Sequence, residues 1–167
     1  MRQLVLVRHA KSQQDGSPDA ERALAPRGVR DSRAVGRRLT ALGVVPDRVV
    51  VSPARRAQQT WALARAELDR PGAEDVDDRV YENTVEDLLD VVRDTPDDVT
   101  TLVLVGHNPS MHGLTVELDD GNGPPEVRAE VDRKYPTSGI ALLTLDVDWA
   151  RVGPKTATLA SFDAPRG

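Results

Sequence analysis

No cysteine occurs in the 167 residues. Disulfide scaffolds, thiol nucleophiles and thiolate zinc sites are therefore excluded. Aromatic residues make up only 3% of the chain, too few for a base-stacking surface, so Trp61 and Trp149 read as packing residues. Lysine is scarce as well: Lys11, Lys134 and Lys155 stand among 22 basic residues, and the rest are arginine. Against 27 acidic residues this gives a formal net charge of −5, which argues against a nucleic-acid partner. No apolar run approaches the roughly 20 residues that span a bilayer, so no membrane partner is expected. The apolar stretch Leu4–Val7 is too short for the core of a secretory leader, and the expected location is cytoplasmic.

What remains is an ordinary globular composition, 39% hydrophobic and 29% charged, at a length that suits one domain over 1–167. No coiled-coil heptad marks the chain as an oligomer, and a monomer is expected. Strand and helix patterns alternate along the sequence, which predicts an α/β fold, a three-layer α/β/α sandwich around a mostly parallel sheet of five or six strands. Gln3–Arg8, 47–51 and Thr101–Val105 read as buried strands, each an unbroken apolar run. Helices are predicted over 28–42, with Ser32, Val35, Leu39 and Leu42 inward, and after Ser52-Pro53, with Ser52 as N-cap and Ala57, Trp61, Ala64 and Leu68 inward. Thr84 and Asp87 resemble a capping box. A further helix follows His107 to about Leu118. The remaining expectations are a short strand over 76–81, a loop over 119–125, and strands at Ile140–Val147 and 156–161.

Three of these strand ends carry chemistry. The first ends in Arg8-His9. The second runs into Ser52-Pro53 and a helix that begins with Arg55 and Arg56. The third ends in Gly106-His107-Asn108. In open α/β sheets, ligands bind beyond the carboxyl ends of the strands. Two histidines and two or three arginines would converge there if the strands are parallel neighbours, beside helix N-termini that favour anions. Arginine forks match phosphate oxygens, and a neutral imidazole can attack phosphorus and carry the phosphoryl group. A dianionic phosphate is the expected ligand.

The motifs themselves carry a resemblance. Leu6-Val7-Arg8-His9-Ala10-Lys11-Ser12 resembles the opening signature of the histidine phosphatase superfamily, the phosphoglycerate-mutase-like group. Ser52 to Thr60 resembles its S-x-x-x-R-A-x-Q-T motif, and Gly106-His107-Asn108 its third. The short length and the closing Pro136-Thr137-Ser138-Gly139-Ile140-Ala141 are similar to the SixA branch, which removes phosphate from phosphohistidine. The resemblance implies that His9 is the nucleophile, that Arg8 and Arg56 bind phosphate, and that His107 is the second active-site histidine. The segment Asp19-Ala20-Glu21-Arg22-Ala23-Leu24 is similar to a D-x-x-R-x-L element and places Arg22 at the pocket rim. The acid that larger members use to protonate a leaving oxygen has no clear counterpart; Glu82 lies in the right region without the surrounding pattern.

Blander readings stand beside these. Ser12 reads as a turn cap or a polar contact near phosphate, and Asn108 as a helix N-cap or a pocket residue; both are kept as phosphate-binding candidates. Arg55 and Lys11 read as solvated. His107 and His112 are wrongly spaced for one helix face, H-E-x-x-H is absent, and arginines would repel a cation, so neither metal nor other cofactor is expected. The leading function is a metal-independent phosphatase that works through phosphohistidine at His9 on a phosphorylated protein. The alternatives are the same chemistry on a small phosphorylated metabolite, such as a sugar phosphate or nucleotide, and a phosphate-binding regulatory module without turnover.

Overall fold

The computed structural model describes residues 1–167. The apolar run near the start forms β1 (Arg2–Arg8), and its Leu4, Val5, Leu6 and Val7 are all fully buried. A strand covered on both faces needs apolar residues at every position, which is why the run is unbroken. In chain order there follow α1 (Pro26–Ala41), β2 (Arg48–Val51), α2 (Arg55–Arg65), β3 (Ala73–Val76), α3 (Val85–Arg93) and β4 (Thr101–Gly106). The rest comprises α4 (Ser110–Leu118), α5 (Pro125–Arg133), β5 (Ile140–Leu145) and β6 (Ala157–Asp163).

The six strands form one sheet in the order β3-β2-β4-β1-β5-β6. The first four in that order are parallel; β5 runs antiparallel to β1, and β6 antiparallel to β5. Alternation along the strands sorts the core by residue size. Leu4, Leu6, Leu102 and Leu104 face one side and pack with α3 and α4, through Leu88, Leu89, Val92 and Leu114. Val5, Val7, Val103 and Val105 face the other and pack with α1 and α2, through Val35, Leu39, Trp61 and Ala64. Each such fully buried aliphatic side chain contributes roughly 1.5–3 kcal/mol. The result is the expected three-layer α/β/α sandwich.

That layering also places a ligand site. The chain leaves β1 toward the α1 and α2 layer and leaves β4 toward the α3 and α4 layer, although β1 and β4 are neighbours. Such a point, where successive connections diverge to opposite faces, opens a crevice at the strand ends. Register puts Arg8 opposite Gly106 and Val51 opposite Val105. Hence His9, His107 and Ser52 emerge side by side.

Four local expectations are corrected. The helix expected after Ser52-Pro53 begins at Arg55 with Ala54 as an uncapped N-cap, because the Ser52 hydroxyl is engaged elsewhere, as described below. The strand expected over 76–81 ends at Val76, and Asp78–Val80 is a single 3-10 turn. β3 is an exposed edge strand of sequence AEDV, so no burial pattern marked it, and Val80 is the buried anchor that follows. Residues beyond the 119–125 loop form α5, a short helix started by Pro125 and buried only at Val131, too sparse an apolar stripe to read from periodicity. The helix expected over 28–42 runs from Pro26 to Ala41, with Gly43 just beyond at φ +72°. The Thr84–Asp87 capping box forms in both directions. No helix is long and apolar enough to cross a membrane.

Candidate active site

At the crevice the sheet presents a cleft of about 250 Å³. Arg8, Lys11, Arg22 and Arg56 line it with both His9 and His107. Neither a carboxylate nor an apolar residue lies on its wall. Four cations around two imidazoles, in a chain of net charge −5, form a site for a multiply charged anion.

The ring of His9 is held by one short contact, Nδ1 to the carbonyl oxygen of Ala10 at 2.7 Å. A carbonyl only accepts, so the proton sits on Nδ1 and Nε2 keeps its lone pair. Arg56 Nε donates to that Nε2 at 3.4 Å. Burial pulls the His9 pKa down to about 3, against the raising effect of the Ala10 carbonyl, and His107, Arg56 and Arg8 add to the lowering. Burial also lowers His107 to about 4, again with help from Arg56. Both shifts disfavour the imidazolium, so each ring stays neutral further into acid than a free histidine does. For the free enzyme, kcat/KM on an aryl phosphate should therefore show no histidine inflection near pH 6.5; loss of the His9 base is expected only as pH falls through about 3. An inflection near 6.5 that survives correction for the substrate's own ionisation would contradict a buried, neutral His9.

The arginines are held by the protein around them. Arg8 donates Nη1 to the Tyr135 carbonyl at 3.0 Å, while its buried Nε has no protein partner. Arg22 Nη1 donates to Ser12 Oγ at 2.6 Å, and its Nη2 to Asp19 Oδ1 at 3.0 Å. Arg56 Nη2 donates to Asp19 Oδ2 at 3.1 Å and lies 3.4 Å from His107 Nδ1; its Nη1 donates to the Asp19 carbonyl at 2.7 Å. Tyr81 completes the set, donating its hydroxyl to Asp19 Oδ2 at 2.7 Å and packing edge-on against His107. These donors hold the Asp19 carboxyl well below the usual carboxylate range, the Tyr81 hydrogen bond contributing most.

The rest of the Ser52–Thr60 motif has local reasons. Gln59 Oε1 accepts from the Leu24 N–H and so ties down the segment that carries Arg22. Thr60 Oγ1 accepts from the Ala10 N–H, fixing the residue whose carbonyl orients His9, and donates back to the Arg56 carbonyl. Ser52 Oγ lies 2.7 Å from His107 Nε2 and accepts from the Ala54 N–H. It orients the second histidine, which is why it does not cap α2.

The expected site residues Arg8, His9, Ser12, Arg22, Arg56, His107 and Asn108 all reach one cleft. Asn108 lies on the wall, but its Nδ2 donates to the Tyr135 carbonyl and its Oδ1 accepts from the His112 N–H. Its amide therefore braces the carbonyl that holds Arg8. Lys11, read as solvated, is exposed yet lines the cleft. Arg55 points away into a neighbouring groove with Glu21 and Glu74. His112 stacks obliquely on Tyr135 outside the cleft. Sequence reading missed Asp19, Tyr81, Gln14 and Thr137. Asp19 was within reach, since it opens the same element that flagged Arg22; Tyr81 carried no local signal.

Glu82 is exposed, sits at φ +48° and does not line the cleft. Glu82→Gln should leave kcat/KM on phosphohistidine within about twofold of wild type. A thousand-fold loss would make it the missing acid.

No group of three or more His, Asp or Glu side chains is arranged to hold a metal ion. Residues 4–85 match the family model of the histidine phosphatase superfamily, branch 1. An uncharacterized protein of Mycobacterium tuberculosis (strain CDC 1551 / Oshkosh) is 39% identical over 96% of this chain and all of its own length. Phosphohistidine phosphatase SixA of Escherichia coli (strain K12) is 29% identical, over 86% of each chain. Among solved structures, a candidate SixA phosphohistidine phosphatase of Nakamurella multipartitia superimposes with a TM-score of 0.86, at 29% identity, covering 98% of this chain and 96% of its own.

Proposed function

The chain belongs to the histidine phosphatase superfamily, and on that premise we propose that it hydrolyses phosphohistidine on a protein through a covalent phosphohistidine at His9. The observation that carries the reading is the His9 Nε2 lone pair in a cleft walled by four cations and no carboxylate. In the first step Nε2 attacks phosphorus in line, a new N–P bond forms, and the P–N bond to the substrate breaks. The electron pair of that bond stays on the substrate ring, whose other nitrogen has already taken a proton from solvent, so the ring departs as neutral imidazole. In the second step water attacks the phosphorus on His9, the N–P bond breaks, and orthophosphate keeps the water's protons. Arg8, Arg22 and Arg56 balance charge on the equatorial oxygens throughout, and His107 acts beside them.

The absence of a carboxylic acid on the wall favours a P–N over a P–O substrate. An alkoxide leaving group needs a proton delivered as it departs, whereas a phosphohistidine ring that solvent has already protonated on its other nitrogen leaves as neutral imidazole. The four cations supply the positive charge that metal ions give other phosphoryl-transfer sites, which supports metal-independent turnover.

The test is phosphate release, in excess chelator, from a phosphohistidine-bearing protein, from free phosphohistidine and from an aryl phosphate. Turnover of the phosphohistidine substrates well above the aryl phosphate is expected. Faster turnover of phosphomonoesters would move the assignment to a small phosphorylated metabolite, and no turnover of any substrate would leave a binding module. Vanadate, which mimics the trigonal-bipyramidal phosphorus, should inhibit below about 1 mM; insensitivity would argue against in-line transfer.

A further inference from the structure

Charge is unevenly spread over the surface beside the cleft. Helix α1 carries five arginines, Arg27, Arg30, Arg33, Arg37 and Arg38, against one acid, Asp31, although acids outnumber bases in the whole chain. Asp31 does not offset them at the surface. It is 1% exposed, and its carboxylate is already shared by Arg27 Nε at 3.2 Å and Arg166 Nη1 at 3.6 Å. Arg37 meets Glu67 and Arg38 meets Asp163, while Arg30 and Arg33 are exposed and have no acidic partner. At about 100° per residue, Arg30, Arg33 and Arg37 fall within an arc of about 60° on the solvent side.

The helix that bears this face adjoins the cleft at its first turn, through its inner side. The first turn of α1 is packed on the backbone of Lys11, which lines the cleft: Ala25 N–H donates to the Lys11 carbonyl at 2.9 Å, and a Cβ on Gly28 would lie 2.0 Å from that same oxygen. On the same side Arg166 donates to the carbonyl of Thr137, another wall residue. Arg27 and Arg166 share Asp31, so the cations without an acidic partner here are Lys11 on the cleft wall and Arg30 and Arg33 on the outer side of the adjoining helix.

We propose that the exposed arginine face of α1, centred on Arg30 and Arg33, docks an acidic surface of the phosphohistidine-bearing protein whose phosphoryl group enters the cleft. The inference rests on the protein-phosphohistidine reading above and adds where the partner sits and what charge it bears. A protein suits this face better than a lipid surface. A helix lying in a membrane interface needs its apolar face free, and that of α1, with Val35 and Leu39, is buried against the sheet. Rim charges of this kind act mainly on encounter rate and on salt dependence, so the effect belongs in KM for the protein substrate.

The experiment uses the full chain, wild type and Arg30→Glu/Arg33→Glu, with an acidic histidine phosphotransfer domain phosphorylated on its histidine and with free phosphohistidine. For the domain, the double variant should raise KM at least about tenfold and flatten the salt dependence. Free phosphohistidine should be turned over within about twofold of wild type, which also shows that the variant is folded. Arg30→Lys/Arg33→Lys should restore most of the KM. An unchanged KM for the domain, with free phosphohistidine still hydrolysed, overturns the docking surface alone. Wild type inactive on both substrates overturns the parent reading and the docking with it. Equal losses on both substrates show a folding or cleft defect and also count against docking. Binding of wild type, but not the double variant, to anionic-lipid vesicles together with an unchanged KM reassigns the face to membranes.

Discussion

His9→Ala is expected to abolish turnover, lowering kcat/KM by at least about 10³-fold, while leaving the fold intact. The two halves of that expectation have separate grounds. The ring contributes the attacking Nε2, while the other imidazole on the wall, His107, is tied through Nε2 to Ser52 Oγ and faces Arg56 Nη2 through Nδ1. Structure depends instead on the backbone of His9: its N–H donates to the Gly106 carbonyl at 3.0 Å, and its carbonyl accepts from Ser138 at 3.1 Å. Alanine keeps both bonds. The ring's own contacts, Nδ1 with the adjacent Ala10 carbonyl and Nε2 with Arg56 Nε, are lost, so the stability cost is about 1 kcal/mol. Phosphate binding should persist as well, because the arginines remain. The decisive pair of measurements is turnover and thermal midpoint, supported by acid-labile phosphate labelling of wild type alone. More than a tenth of wild-type activity in the variant, or equal labelling of both proteins, would remove His9 as nucleophile.

Much of this site was legible because its key residues follow buried strands. An unbroken apolar run of four to six residues fixes where a strand ends, and in a parallel sheet the next residue lands at the ligand edge; His9 and His107 are placed by that logic alone. The division of roles between Arg55 and Arg56 was legible only through the motif around them, because both open the same helix. Asp19 was harder to read, since its function depends on Arg56 and Tyr81, 37 and 62 residues away, being folded against it. Ser52 was misread for a similar reason. A serine before a proline and a helical pattern is a good local N-cap, and only the adjacency of β2 and β4 gives its hydroxyl a better partner in His107. Edge strand β3 and helix α5 bury too little for periodicity to report them. Local pattern thus carried the buried frame, while contacts distant in sequence decided which polar side chains orient which.

The adjacent arginines of α2 should separate sharply. Arg56→Ala is expected to lower kcat/KM by about 10²–10³-fold, and Arg55→Ala to stay within about threefold of wild type. Successive helical residues point about 100° apart, so one faces the cleft and the other the outer groove. Arg56 is 6% exposed and reaches His9, His107 and Asp19 at once, whereas Arg55 is exposed beside Glu21 and Glu74. Removing Arg56 does more than subtract a charge. It takes away the group whose fork lies between both histidines, and it leaves the Asp19 carboxylate with only Arg22 and Tyr81 to hold it. Arg56→Lys tests that distinction: a single ammonium restores the charge without the fork, so recovery should be partial. Full recovery would show that net charge is all the site asks of this position. A larger loss in Arg55→Ala than in Arg56→Ala would place the phosphate in the groove outside the cleft, and would undo the assignment of every residue matched to this motif.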